Sequence, residues 1–148
     1  METAPSYRER LTPPWWMLLL LMLIAPASLL VFLPINPQVG VGVAIALYAG
    51  AVALLWLGAP VVAVQDGQLR AGRACIDIRH LGTARPLLGD DAREAMRAGW
   101  DPAAHHVVSP WTRSLVRASV DDPEDPTTAW LISSRRPEAL VTAIEEAR

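Results

Sequence analysis

The sequence predicts a membrane α-helical hairpin of two transmembrane helices followed by a small α+β domain. Three observations carry this. No Asp, Glu, Lys or Arg occurs between Arg10 and Asp66, a run of 55 uncharged positions, whereas a soluble domain of this length disperses its charges along the chain. Two apolar stretches inside that run are each about as long as the roughly 20 residues needed to cross a bilayer. Beyond residue 59 the apolar run gives way to short alternating segments separated by turn residues, a β-type pattern.

The first span runs over residues 15–33 and the second over 39–57, so the predicted organisation is an N-terminal cytoplasmic segment 1–12, a hairpin 13–58 and a cytoplasmic domain 59–148. Pro34 and Pro37 interrupt the apolar run; each lacks the N–H a continuous helix needs, which makes the segment between the spans a turn. Arg8 and Arg10 precede the first span, Arg70 and Arg73 follow the second, and the turn has no charge. The positive-inside rule then puts both termini in the cytoplasm of a multi-pass protein of the cell (inner) membrane. Trp15, Trp16 and Trp56 fall at one interface of such a hairpin, where indole rings suit the headgroup level. Gly42, Ala46 and Gly50 recur every four residues, the small-residue spacing that lets helices approach in lipid; they are read as a seam against the first helix, or alternatively against a second copy or a partner. Pro26 should kink the first helix by freeing the carbonyl four residues earlier. A cleavable signal peptide is the rival reading, since Ala25-Pro26-Ala27 has the small residues of a cleavage site; the apolar run continues past it to Leu33.

In the domain, Val61 to Val64 favours a strand, Asp66-Gly67 signals a two-residue hairpin, and residues 69–78 alternate as its return strand. Further strands are expected at 83–88, 114–120 and 128–133, the last two joined by the proline-rich acidic turn 121–126. Residues 90–98 read as a short helix. Residues 137–148 read as a longer one: Pro137 suits the first helical position, Glu138 the positive end of the dipole, and Leu140, Val141 and Ile144 share a face. Short antiparallel strands closed by a C-terminal helix are the element order of a PH-like domain.

Composition excludes several function classes. The 13 basic residues are all Arg, which suggests a GC-rich genome before any function. Residues 66–148 carry 11 Arg against 13 acids, so the summed charge does not favour nucleic acid. The single Cys75 has no disulfide partner and reads as a small buried residue. His105 and His106 are adjacent, so an extended chain points them to opposite faces, and the acids of 121–125 lack the alternation and central Gly of a calcium loop. His80 reads as a hydrogen-bonded sheet residue. No catalytic residue, metal or cofactor is assigned, because no serine lies in a G-x-S-x-G elbow and no glycine-rich loop has phosphate-cradling spacing. The residues placed for lipid or partner binding are Arg70, Arg73, Trp111, Arg113, Arg135 and Arg136, whose guanidinium groups suit lipid phosphates or acidic partners near a membrane. Surface solubility is the plainer account of the same arginines. Trp111 and Trp130 are expected as rim or core aromatics.

Three strings, Tyr7 to Leu11 (YRERL), Asp66 to Ala74 (DGQLRAGRA) and Trp130 to Pro137 (WLISSRRP), resemble the actinobacterial membrane-protein family catalogued as domain of unknown function 3093. The resemblance spans almost the whole chain, outside an unmatched insert near residues 90–106, and implies a membrane protein with no assigned activity and no catalytic residues to carry over. The expected function is a non-enzymatic interaction or scaffolding module displayed on membrane lipids, alternatively an accessory subunit assembled with a membrane-protein partner or as a homodimer through the hairpin.

Overall fold

A computed structural model describes residues 6–148, which divide into two compact units: residues 12–59, and residues 6–11 together with 60–148.

The first unit is helical. α1 (Trp15–Leu21) and α2 (Ile24–Phe32) together form the first apolar stretch and α3 (Pro37–Leu57) the second. The break between α1 and α2 falls one turn ahead of Pro26, as its missing N–H requires. The carbonyl of Met22, which Pro26 cannot reach, accepts the Ala25 N–H at 3.1 Å instead. At the hairpin turn Asn36 caps α3, its side chain accepting the N–H of Gln38 at 2.9 Å, with Pro37 at the first helical position. α3 packs on α2 through Gly40 and Ala44, both buried. A Cβ on Gly40 would stand 3.0 Å from the Phe32 Cβ, so only a hydrogen lets the helices close there. Gly42, Ala46 and Gly50 do not form this seam. They are exposed, and a Cβ on either glycine would meet nothing within 4 Å. An Ala- and Gly-rich helix carries more than one four-residue spacing of small residues, and the large partners Leu29 and Phe32 select the one roughly 200° away around the axis.

The second unit is a two-sheet structure with a helix. In the first sheet, β1 (Tyr7–Arg10), β2 (Val61–Gln65), β3 (Gln68–Ala71) and β4 (Ala74–Asp77) pair antiparallel in sequence order. The segment before the first span is therefore not a separate tail. Its residues alternate inward and outward, with Tyr7 and Glu9 buried and Arg8 and Arg10 exposed, and Tyr7 stands opposite Val64. Asp66 and Gly67 both have positive φ, the type I′ geometry expected at this turn. The expected strand 69–78 divides in two at Gly72, whose φ of +62° makes a second tight turn. Cys75 lies on edge strand β4 opposite Arg70 and is exposed rather than buried, because the outward face of this sheet has no covering layer at that position.

The second sheet has the order β5 (Leu81–Leu87), β7 (Leu115–Val120), β8 (Ala129–Ser133), β6 (His105–Val107). Its pairs are antiparallel except β6 on β8, which is parallel. β6 is a strand where none was expected. Between β5 and β6, α4 (Gly89–Met96) lays Ala92 and Ala95 on Leu87, Leu115 and Leu131. The opposite face of this sheet contributes Val116, Ala118, Trp130 and Ile132 to the main core, with Val62, Val64 and Leu69 of the first sheet and Leu140 and Ile144 of α5 (Pro137–Glu146). Because one face of β8 meets each cluster, all five of its residues are buried.

Candidate functional site

Two places in the β unit concentrate polar side chains. The first is internal. Glu9 accepts the Tyr7 hydroxyl at 2.6 Å and the Ser134 hydroxyl at 2.8 Å on Oε2, and the backbone N–H of Arg135 at 3.0 Å on Oε1. Ser134 Oγ also accepts the Arg136 N–H at 3.0 Å, and the Arg136 guanidinium lies over the Tyr7 ring, 5.5 Å from its centroid. Burial, then the hydrogen bond to Glu9, raises the Tyr7 hydroxyl above its ordinary value. Tyr7, Glu9 and Ser134 are respectively 6%, 8% and 0% exposed, so this carboxylate and its hydroxyls bond one another rather than a substrate. The cluster is a stitch between β1 and the start of α5.

The second place is open. The β3–β4 turn, residues 71–74, and residues 105–108 line a groove of about 410 Å³. Gly72 donates its N–H to the Val61 carbonyl at 2.9 Å, and Leu11 donates to the Pro60 carbonyl at 3.0 Å. The turn thus stands on the residues at which the chain leaves for and returns from the helical unit. At the same end the Trp111 indole N–H donates to the Leu11 carbonyl at 3.3 Å. Arg73 and Arg113 are exposed, and no hydrogen bond or ion pair engages either among the described residues.

The five arginines and one tryptophan singled out in sequence therefore do not form one site. Arg73 lines the groove, Trp111 is held at the chain exit, and Arg113 follows two residues on. Arg70 lies on the outer sheet face, where Ala63 separates it from Arg8. Arg135 and Arg136 belong with Tyr7 and Glu9. Sequence reasoning missed Glu9, Tyr7 and Ser134; their only signal is the alternation Tyr7-x-Glu9, which means little until β1 has a partner. It also missed the groove, which needs β6.

The histidines have separate neighbours. His105 tilts on Trp130, His106 stacks on Trp100 at 3.7 Å between ring centroids, and His80, in a 3₁₀ turn rather than a strand, faces Asp122 at 3.2 Å. In the acidic turn, the Asp125 side chain accepts the Thr127 N–H at 2.8 Å, and that segment's hydrogen bonding also holds the Asp125 carboxyl below its usual range. No group of three or more His, Cys, Asp or Glu among the described residues is placed to hold a metal.

Residues 6–144 match the family described as a protein of unknown function, DUF3093. The chain belongs to that family. Two of the strings that carry the resemblance, YRERL and WLISSRRP, meet in the structure: Glu9 of the first accepts from Ser134 and Arg135 of the second. The DUF3093 match includes β1, both apolar stretches and both sheets. No curated protein and no solved structure matches the chain.

Proposed function

We propose that this DUF3093 member is an integral membrane protein whose two-helix hairpin holds a small PH-like domain at the cytoplasmic face, where the domain serves as a non-enzymatic interaction or scaffolding module. The observation that carries the reading is the insertion of both apolar helices between β1 and β2, two paired strands of one folded unit. A chain that leaves a domain and returns to complete its sheet must cross a bilayer an even number of times. The same insertion argues against a cleaved signal sequence, because cleavage near Ala27 would remove a strand. A soluble core helix is disfavoured by exposure: the spans are only 6% and 11% buried, and Leu30, Leu54 and Leu57 are each at least three-quarters exposed. The uncharged turn and the flanking arginines favour a cytoplasmic domain. Four antiparallel strands, then a second sheet and a closing C-terminal helix, support the PH-like assignment, with α4 and β6 as an insert.

Cys75, the sole cysteine and exposed, provides the test. A membrane-impermeant maleimide should label it only after cells are lysed. In a Cys75→Ala background, Ile35→Cys, at the exposed hairpin turn, should label in intact cells. Labelling of Cys75 from outside overturns the orientation; equal labelling of both positions from one side overturns the spanning hairpin.

A second reading makes the hairpin the working part, as an accessory subunit of a larger complex. The outward-facing Gly42, Ala46 and Gly50 favour it, since that small-residue face is left uncovered by α2. Replacing all three with Leu should then abolish co-purification with the partner, and unchanged co-purification counts against it.

A further inference from the structure

We propose that the groove between the β3–β4 turn and β6 binds the phosphate of an anionic membrane-lipid headgroup, with Arg73 as its principal donor. The proposal rests on the membrane reading above and adds a ligand class and a site to it. Its first support is chemical. The groove of about 410 Å³ is within the range of small-ligand sites. Its lining residues include Arg73, His105 and His106 among small apolar ones, with no Asp or Glu. Three other arginines on this unit are engaged, Arg79 with Asp77 at 2.7 Å, Arg93 with Asp90 at 2.6 Å and Arg148 with the Leu81 carbonyl at 3.2 Å, and Arg113, unengaged among the described residues, does not line the groove. Arg73 has no such partner among the described residues and so presents its full fork of donors, which matches phosphate geometry.

The second support is positional. Gly72 has a φ of +62° at the first central position of the Ala71–Ala74 turn, which fixes a tight hairpin and holds Arg73 at its tip. That turn is bonded to Val61, and a Cβ on Gly72 would lie 3.8 Å from the Pro60 Cβ. Only Gly58 and Ala59 separate Pro60 from the end of α3 at Leu57. Trp111, tied to the Leu11 carbonyl, adds at the same exit an aromatic of the type enriched at the headgroup level. Within the first sheet charge is polarised along the strands: Arg10 and Arg73 lie at the exit end, Asp66 and Asp77 at the other. A domain tethered this closely to its spans meets headgroup phosphates at high effective concentration, so a modest intrinsic affinity suffices.

The test uses the full chain in mixed micelles of dodecyl maltoside with phosphatidylglycerol or phosphatidylcholine, with retained lipid counted by native mass spectrometry. Wild type should keep one phosphatidylglycerol in preference to phosphatidylcholine. Arg73→Ala should lower that occupancy by about tenfold, the scale of one charge-assisted contact, Arg73→Lys should restore part of it, and Arg79→Ala should leave it unchanged. Equal retention by wild type and Arg73→Ala overturns the proposal, as does an equal loss in Arg79→Ala, which would mark nonspecific attraction. Displacement of the lipid by millimolar inorganic phosphate would assign the groove to free phosphate and overturn the lipid assignment. The maleimide experiment separates the two readings: a spanning hairpin with no Arg73-dependent lipid refutes only the site.

Discussion

The two units of this chain solve opposite problems with adjacent stretches of sequence. The β unit hides its large apolar side chains: Val62, Val64, Leu69, Val116, Ile132, Leu140 and Ile144 are all sealed, and burial of each stabilises the fold by about 1.5–3 kcal/mol relative to exposure. The helical unit displays them, burying only small residues such as Ser28, Gly40 and Ala44 along its helices. In water the second arrangement gains almost nothing from the hydrophobic effect; in lipid, where apolar side chains need no burial, close approach through small residues is what holds helices together. On the membrane reading proposed above, the chain is written for two solvents, with the helical unit inserted between β1 and β2.

The largest effect should come from removing one solvent's worth of sequence. Leu11 and Pro60 are already bonded at 3.0 Å, so replacing residues 12–59 with a short Gly-Ser loop should leave the β unit folded and water-soluble, whereas the membrane reading expects the full chain to require detergent. Cooperative thermal unfolding by circular dichroism, with a monodisperse profile in detergent-free buffer, checks this. A molten or aggregated product would mean that the β unit depends on the hairpin and that the comparison between the two is false.

Much of this division is legible in the sequence because its signals are local. The spans, the break at Pro34 and Pro37, the Asp66-Gly67 turn and the Pro137 helix all depend on residues within a few positions of one another. What escapes is non-local. Tyr7-Arg8-Glu9-Arg10 reads as a charged flank because the strand it pairs with lies beyond two apolar helices, and its buried Glu9 is satisfied by Ser134 and Arg135, more than 120 positions away. β6 is three residues long and pairs parallel, so it shows no alternation to detect. The packing seam at Gly40 was masked by a second, equally good small-residue spacing. The groove follows from β6 and was invisible for the same reason.

Next in size is the buried carboxylate. Glu9→Ala leaves the buried Tyr7 and Ser134 hydroxyls only each other, at 2.9 Å, takes the acceptor from the part-buried Arg135 N–H, and should destabilise the β unit by about 2–4 kcal/mol. Chemical denaturation of the soluble β unit measures it. A loss under about 0.5 kcal/mol, the size of an ordinary surface substitution, would show that β1 is held by its ladder alone.

A smaller effect tests the helical unit. Gly40→Leu must push against Phe32 and should destabilise the hairpin by about 1–3 kcal/mol, as overpacking does, whereas Gly42→Leu enters open space. Thermal unfolding of the two variants of the hairpin segment 12–59 in detergent, where Trp15, Trp16 and Trp56 are the tryptophans, followed by their fluorescence, should rank Gly40→Leu below Gly42→Leu. The reverse order would place the seam at Gly42, Ala46 and Gly50, through a partner rather than α2.

The smallest effect is a pH dependence confined to the β unit. Tyr7 titrates above its ordinary value of 10.0 because it is buried and hydrogen-bonded to Glu9. The unfolded chain therefore loses that proton first as pH rises. The contribution is fully present below pH 10 and disappears as pH climbs through the raised folded value. Tyr7→Phe removes both the titration and the hydrogen bond, so it should be less stable than wild type at neutral pH by about 1 kcal/mol, and the gap should narrow above pH 10. Groups titrating alike in both proteins cancel in the difference. A gap that stays constant to pH 11 would mean that the Tyr7 hydroxyl is open to solvent and that the stitch to α5 is not sealed.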